Sequence, residues 1–77
     1  MKNSIKVERA RNNITQAKLA ELTQVSWQTI NAIELGKYDS SALLAFCLAR
    51  IFNVAVEEIF QLNKGEMILL HFYPVHL

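Results

Sequence analysis

Two side-chain amides, Gln28 and Asn31, lie three residues apart in a segment with helical periodicity. With about 100° of rotation per residue, Ile30 and Ile33 define one apolar stripe, and the two amides lie on the opposite side beside Trp27. An exposed glutamine or asparagine on a helix can pair bidentately with adenine in the major groove of DNA. The same pattern also fits an ordinary solvated face, so the helix by itself leaves both interpretations open.

This helix is predicted to be the second of a closely connected pair. Thr15 is a suitable N-cap residue for a helix over 16–22. Ser26 is a suitable N-cap for a helix over 27–35, and Gly36 is suited to end it. Two short helices joined by a turn of about three residues form a helix-turn-helix, which places its second helix in the DNA major groove.

The rest of the domain is also predicted to be helical. Three further helices are expected at residues 4–11, 42–52 and 56–61. Together the five short helices indicate an all-α domain over residues 1–62, because no stretch before Gly65 alternates as a strand would. Residues 63–77 form an apolar tail, for which three alternatives stay open: a short strand or extended docking segment, a contact between two copies, or a disordered end.

Length and composition indicate one small folded domain. The chain has 77 residues, of which 52% are hydrophobic and 19% charged. With roughly 100–200 residues per domain, this is a single domain, and such a composition is not that of a disordered chain. The longest apolar run, 42–49, has eight residues, whereas a membrane span needs about 20. No signal-peptide pattern begins the sequence, so we expect the protein in the cytoplasm.

The sequence shows no pattern for catalysis or metal binding. The lone cysteine, Cys47, excludes an intrachain disulfide and a four-thiolate zinc site. His71 and His76 stand on either side of a proline and make a poor pair of metal ligands. Neither a glycine-rich phosphate loop nor a nucleophile–base signature occurs. We therefore expect a protein that is not an enzyme and needs no cofactor.

The charges are divided unevenly along the chain. Residues 1–38 carry six basic and three acidic side chains, whereas residues 39–77 carry two and four. A basic first half suggests that this half meets a polyanion. So small a surplus is also compatible with no binding function.

The paired helices carry motif residues in a characteristic order: Ile14-Thr15-Gln16, Leu19-Ala20, Val25 through Glu34, and Gly36-Lys37-Tyr38. These residues resemble the Xre/Cro-repressor helix-turn-helix family, and the run from Ser41 to Phe60 is similar to the last two helices of its small single-domain members. The resemblance implies a five-helix Cro/repressor-like domain. It also implies a protein that binds double-stranded DNA, usually as a homodimer, and regulates transcription without catalytic activity.

The resemblance implies roles for the residues that match. Gln16 corresponds to a glutamine that holds a phosphate and braces the recognition helix. Gln28 and Asn31 correspond to positions that contact bases or phosphates. Lys37 corresponds to the basic residue that meets the DNA backbone after the glycine.

The resemblance further implies an ion pair between Arg9 and Glu34, which ties the first helix to the third. A direct phosphate contact is the alternative for Arg9. Lys18 and Tyr38 are additional candidates for phosphate contacts.

Six residues depart from the family's pattern: Glu8, Gln24, Trp27, Ser40, Cys47 and Ala55. Trp27 stands where arginine or glutamine is common, so its indole either covers a thymine methyl group or a deoxyribose or packs on its own domain. Gln24 replaces a common turn glycine, at a cost of about 1 kcal/mol if its backbone is left-handed. Glu8 occupies a position that is usually apolar, so it either pairs with a nearby arginine or lies at the edge of the core.

One recognition helix reads too few base pairs to select an operator, so we expect a homodimer that binds a pseudo-palindromic operator. We further expect this regulator to act as a repressor. The predicted dimer contacts are Ile59, Phe60 and Leu62, followed by the tail. The dimer would form by helix packing, or by strand pairing of this segment with the partner or with the N-terminal residues. The alternative function is an antitoxin-like interaction module that binds a partner protein through its C-terminal half.

Overall fold

Five helices and a two-stranded antiparallel sheet make up residues 2–61, the part of the chain that the computed structural model describes. The all-α, five-helix class predicted from the sequence is confirmed. None of the helices in this part of the chain is long and apolar enough to span a membrane. Leu62 and the predicted tail, 63–77, lie outside the described residues. In chain order the elements are β1 (Lys2–Asn3), α1 (Ile5–Arg11), α2 (Gln16–Thr23), α3 (Trp27–Glu34), α4 (Ala42–Phe52), α5 (Val56–Ile59) and β2 (Phe60–Gln61).

Side-chain hydroxyls begin α2, α3 and α4, as the sequence predicts. The oxygens of Thr15, Ser26 and Ser41 accept hydrogen bonds from the backbone N–H groups three residues further on, at 3.0, 3.1 and 3.2 Å. Each cap of this kind contributes about 1 kcal/mol to helix stability. The first residues of α2 and α3 are therefore determined by residues close to them in the sequence.

The same three helices end at residues with left-handed backbone. Gln24, Gly36 and Asn53 have φ angles of 59°, 74° and 55°. The residue after each of them donates its backbone N–H to the carbonyl five positions back, at 2.9–3.1 Å. Glycine adopts this conformation without strain, whereas Gln24 does so at a cost of about 1 kcal/mol. The turn between α2 and α3 therefore stores a small amount of backbone strain.

One hydrophobic core holds the five helices together. Ala20, 6% exposed, lies within this core on α2, where a small side chain lets α3 pack closely. The buried Glu8 accepts a hydrogen bond from Arg11 Nη1 at 3.1 Å, which is the pairing that the sequence left open. Every helix contributes to the core, whose fully buried side chains are Ile5, Leu19, Ile30, Ile33, Leu48 and Ile59.

The fifth helix is shorter than predicted, and the residues after it form a strand. Helix α5 ends at Ile59 rather than at Gln61, and β2 pairs antiparallel with β1. The helix predicted over 56–61 is therefore two residues too long, and the strand pairing with the N-terminal residues that the sequence left open forms within the chain. The cause is a tertiary contact, because Ser4 donates its backbone N–H to Ile59 O and its hydroxyl to Glu58 O, both at 2.8 Å. Strands of two residues are also too short to show alternation in a sequence.

The core also corrects one predicted dimer contact. Ile59 is 0% exposed, because it is buried among the other core side chains of its own domain. Such a side chain cannot also contact a second copy, so its assignment to a dimer surface is wrong. Phe60 is half-buried and packs against the same core.

Candidate nucleic-acid interface

One face of α3 is exposed, and it carries the residues predicted to read bases. Trp27 is 53% exposed, Gln28 is exposed and Asn31 is half-buried. On the other side of the helix, Ile30 and Ile33 are buried in the core. This is the division that the sequence periodicity predicts. Because the buried side anchors the helix, the three polar or aromatic side chains share one outward surface.

The Gln16 side chain connects the first turn of α2 to this face of α3. Its Nε2 donates to Asn31 Oδ1 at 3.0 Å and to Glu34 Oε1 at 3.2 Å. A side-chain amide has two N–H hydrogens, so both donors of Gln16 are used within the protein. Gln16 thus braces α3, which is the structural half of the role that the resemblance implies. The phosphate contact implied for the same side chain does not fit this geometry, because only its carbonyl oxygen is left and a phosphate requires a donor.

A buried ion pair between α1 and α3 lies behind Gln16. Arg9 donates from Nε to Glu34 Oε2 at 2.7 Å and from Nη2 to Glu34 Oε1 at 3.0 Å. Only 15% of the Arg9 side chain and 5% of the Glu34 side chain are exposed. Arg9 Nη1 also donates to Ile14 O at 3.2 Å. The guanidinium is therefore directed into the protein, and the ion pair replaces the alternative of a direct phosphate contact.

Four side chains consequently form one hydrogen-bonded chain, which we call the polar brace: Arg9, Glu34, Gln16 and Asn31. The brace joins α1, α2 and α3. Among the described residues, no buried side-chain nitrogen or oxygen lacks a hydrogen-bond partner. The brace therefore fixes the position of α3 without leaving a desolvated polar group unpaired, which would cost about 1–3 kcal/mol.

Asn3 supports α3 from the other end, a role that its place in the sequence does not indicate. Its Nδ2 donates to Ile33 O at 2.7 Å, near the C-terminal end of α3, and its Oδ1 accepts the backbone N–H of Ile5 at 3.3 Å. Through Asn3, strand β1 holds the end of α3. The partner lies 30 positions away in the chain, so no local pattern could reveal the contact.

The residues predicted to bind phosphate lie on α2 and in the loop after α3. Lys37 and Tyr38 are exposed in that loop, and the Lys37 backbone N–H donates to Ala32 O at 2.9 Å. Lys18 is exposed on α2, with its Nζ 3.5 Å from Glu21 Oε1. Exposed pairs of this kind contribute roughly 0–1 kcal/mol. Lys18 can therefore exchange Glu21 for another anion at little cost.

A second outward surface, which we call the α4 patch, consists of Leu43 and Phe46. These side chains are 74% and 65% exposed. Residues three apart on a helix lie on the same face, and the opposite face of α4 buries Leu44 and Leu48. Exposed apolar patches are characteristic of contact surfaces.

Comparison with known proteins agrees with this architecture. Residues 5–59, which include all five helices, match the family described as Helix-turn-helix. This chain belongs to that family. The resemblance to the Xre/Cro type is confirmed, and as a member the protein is a DNA-binding transcriptional regulator, a class whose members are generally not enzymes.

Several similar proteins have nearly the same length as the matched region. An uncharacterized HTH-type transcriptional regulator of Methanocaldococcus jannaschii is 55% identical over 66 residues, which cover 86% of this chain and 100% of that protein. One from Archaeoglobus fulgidus is 42% identical over 67 residues, covering 87% of this chain and 94% of the relative. The regulator YgzD of Bacillus subtilis is 42% identical over 64 residues, covering 83% and 97%.

Proposed function

We propose that this helix-turn-helix protein is a sequence-specific repressor that binds a pseudo-palindromic operator as a homodimer, with α3 in the major groove. The observation that carries the proposal is the polar brace behind the exposed face of α3. Hydrogen bonds to base edges require defined distances and angles, so a helix that reads bases must be held in one position. The brace supplies that support from two neighbouring helices.

The face of α3 supplies the base contacts in this proposal. Gln28 and Asn31 face the base edges, because their side chains lie on the outward side of the helix. Trp27, at the start of α3, covers a thymine methyl group or a deoxyribose with its exposed indole. None of these side chains is needed to fill the core.

Phosphate contacts come from the exposed residues beside α3. Lys37, directly after the helix, binds a backbone phosphate, and Lys18 and Tyr38 add contacts on neighbouring surfaces. Gln16 acts indirectly through the brace, because its two N–H groups are already bonded within the protein. These contacts set the position of the protein on the duplex, and the bases then set its preference.

Selection of bound sequences from random duplexes tests sequence-specific binding. We expect one enriched motif with two half-sites about 10–10.5 bp apart. Its affinity should exceed that for random DNA by roughly 10³-fold or more at physiological salt. Binding without enrichment of any motif would refute sequence-specific recognition.

A reporter gene tests the proposed direction of regulation. A protein bound to an operator that overlaps a promoter can block transcription by occupancy alone. A domain of this size is sufficient for that role. With the selected motif placed across a promoter, expression of the protein should lower reporter output. Unchanged or increased output would contradict the role as a repressor.

The α4 patch is the described surface that best fits a second copy. When two copies are related by a two-fold axis, the same patch lies on both sides of the contact. Leu43 and Phe46 would then pack against the same residues of the second copy and be removed from solvent. Phe46→Asp should therefore shift the protein from dimer to monomer in light scattering, while circular dichroism stays unchanged because the residue is 65% exposed.

Leu22→Asp provides a matched control for the dimer test, because Leu22 is 47% exposed but lies on α2. It should leave the dimer intact. A dimer that survives Phe46→Asp would place the interface elsewhere. Purification of the wild-type chain with a stoichiometric foreign protein in place of the second copy would favour the interaction-module function instead.

A further inference from the structure

Trp27 is the only tryptophan of the chain and the first residue of α3. It is 53% exposed and does not belong to the hydrophobic core. Among the residues that the structure describes, no hydrogen bond holds its indole N–H. About half of the surface of this large apolar side chain is therefore available to a ligand.

Hydrogen bonds at the start of α3 fix the backbone that carries the indole. Ser26 Oγ accepts the backbone N–H of Thr29 at 3.1 Å and lies 2.9 Å from Thr29 Oγ1. These bonds span Trp27 and determine the first turn of the helix. Because the Cα–Cβ bonds of a helix tilt toward its N-terminus, the Trp27 side chain leans toward this capped end. The N-terminal residues of a DNA-reading helix are the ones that contact base edges.

An indole in that position can recognise one apolar group of DNA. It has a single N–H donor, no acceptor and two apolar ring faces. Base pairs present donors and acceptors in the major groove, and the C5-methyl group of thymine is the apolar group among them. A ring face that covers a donor or acceptor removes it from water without supplying a partner, which weakens binding. A ring face that covers the methyl group removes apolar surface from water, which strengthens binding.

The place of Trp27 on the helix favours this methyl group over a deoxyribose. Residues four apart on a helix lie on one face, so Trp27 and Asn31 share a surface, and the exposed Gln28 lies beside them. In the proposed function these two amides face base edges. The indole between them then meets base edges too, whereas the sugars belong to the backbones that border the groove.

We propose that Trp27 reads the C5-methyl group of a pyrimidine, so that the protein distinguishes thymine from uracil and 5-methylcytosine from cytosine at one base pair of each half-site. This inference rests on the proposed base-reading role of α3. 5-Methylcytosine carries the same methyl group on the same ring atom as thymine. Methylation of a cytosine at this base pair therefore creates the contact, and binding responds to cytosine methylation in the operator.

Replacing single thymines of the selected operator with deoxyuridine tests the proposal, because uracil keeps O4 and its pairing with adenine and lacks only the methyl group. Wild-type affinity should fall by about 3- to 5-fold at one position of each half-site, the effect of one buried methyl group. Trp27→Ala should bind the thymine and uracil duplexes alike. Trp27→Phe should keep the preference for thymine, since the contact is made by the ring and not by the N–H.

Leu35→Ala is the matched control, because Leu35 is an apolar side chain, 59% exposed, at the other end of α3. It should keep the wild-type ratio between thymine and uracil duplexes. Both alanine variants replace exposed residues, so their circular dichroism should match that of the wild type. With cytosine at the sensitive position, adding the C5-methyl group should raise wild-type affinity by the same factor and leave that of Trp27→Ala unchanged.

The fluorescence of Trp27 provides a readout that does not depend on base preference. Because the chain has one tryptophan, acrylamide quenching reports on this indole alone. The quenching constant should be smaller for the complex with the selected operator than for the free protein, since bound DNA covers the ring. Equal quenching in the two states would show that Trp27 is not at the interface and would overturn the inference.

The binding data also separate this inference from the proposed function. A selected motif in which every thymine can be replaced by uracil without loss, or a thymine preference that survives in Trp27→Ala, would overturn the methyl contact while leaving sequence-specific binding in place. Failure of the wild-type protein to select any sequence would refute the proposed function, and the inference with it.

Discussion

Replacing Arg9 with methionine should destabilise the protein by about 3–5 kcal/mol, the range for a buried charge that loses its partner. The Glu34 side chain is only 5% exposed. It would lose the hydrogen bonds at 2.7 and 3.0 Å and keep only the one from Gln16 at 3.2 Å. Methionine has no charge but a comparable length, so the loss reports on the ion pair more than on a cavity.

The free energy of unfolding, measured with urea, gives the magnitude directly. A loss of 3 kcal/mol corresponds to a fall in Tm of roughly 12–24 °C, since a domain of this size loses about 4–8 °C per kcal/mol. Lys18→Met is the matched control, because it breaks a pair whose side chains are 54% and 72% exposed. That control should lose less than about 1 kcal/mol.

The double variant Arg9→Met with Glu34→Leu distinguishes the loss of the ion pair from the cost of leaving the Glu34 carboxylate buried without Arg9. Because both charges are removed, most of the stability should return. Specific DNA binding should stay weak, since Gln16 no longer has a carboxylate to orient it. A loss below about 1 kcal/mol in Arg9→Met, or no recovery in the double variant, would refute the view that burial makes this pair important.

Three other substitutions test separate parts of the molecule. Gln28→Ala should weaken specific binding by about 1–3 kcal/mol and leave non-specific binding unchanged, because phosphate contacts supply the latter; equal losses on selected and random duplexes would contradict base reading. Lys37→Ala should weaken binding to both duplexes alike and reduce the slope of log K against log salt by about one unit; an unchanged slope would remove Lys37 from the phosphate contacts. Gln24→Gly should raise the free energy of unfolding by up to about 1 kcal/mol, because glycine adopts a φ of 59° without strain. In the same urea assay Ala17→Gly, at an exposed position in the first turn of α2, should lower it by up to about 1 kcal/mol, and a comparable loss in Gln24→Gly would show that the turn is unstrained.

The limits of α2, α3 and α4 could be predicted from sequence because the interactions that set them are local. The caps at Thr15, Ser26 and Ser41 bond to residues three positions away. The left-handed ends at Gly36 and Asn53 involve carbonyls only a few positions back. The end of α5 could not be predicted in this way, since it depends on Ser4 at the other end of the chain.

The same distinction between local and long-range contacts applies to the candidate site. The outward placement of Gln28 follows from the helical period of Ile30 and Ile33, so periodicity was sufficient to predict it. The orientation of the Asn31 amide depends on Gln16 and Glu34, and Gln16 lies 15 positions before it in the chain. Such a contact exists only after α2 and α3 have packed together, and no spacing rule in the sequence encodes which atom of an amide faces its partner.

The sequence by itself determined the residues that must leave water, the limits of most helices and the face of α3 that stays outside. These features depend on side-chain polarity and on backbone groups that lie close by in the chain, so neighbouring residues are sufficient to predict them. Only the tertiary structure decided which groups meet across the fold. Ile59 shows the difference: its apolar side chain indicated burial, but whether its own domain or a second copy would cover it depended on the packing of α5 against the core, where it is 0% exposed.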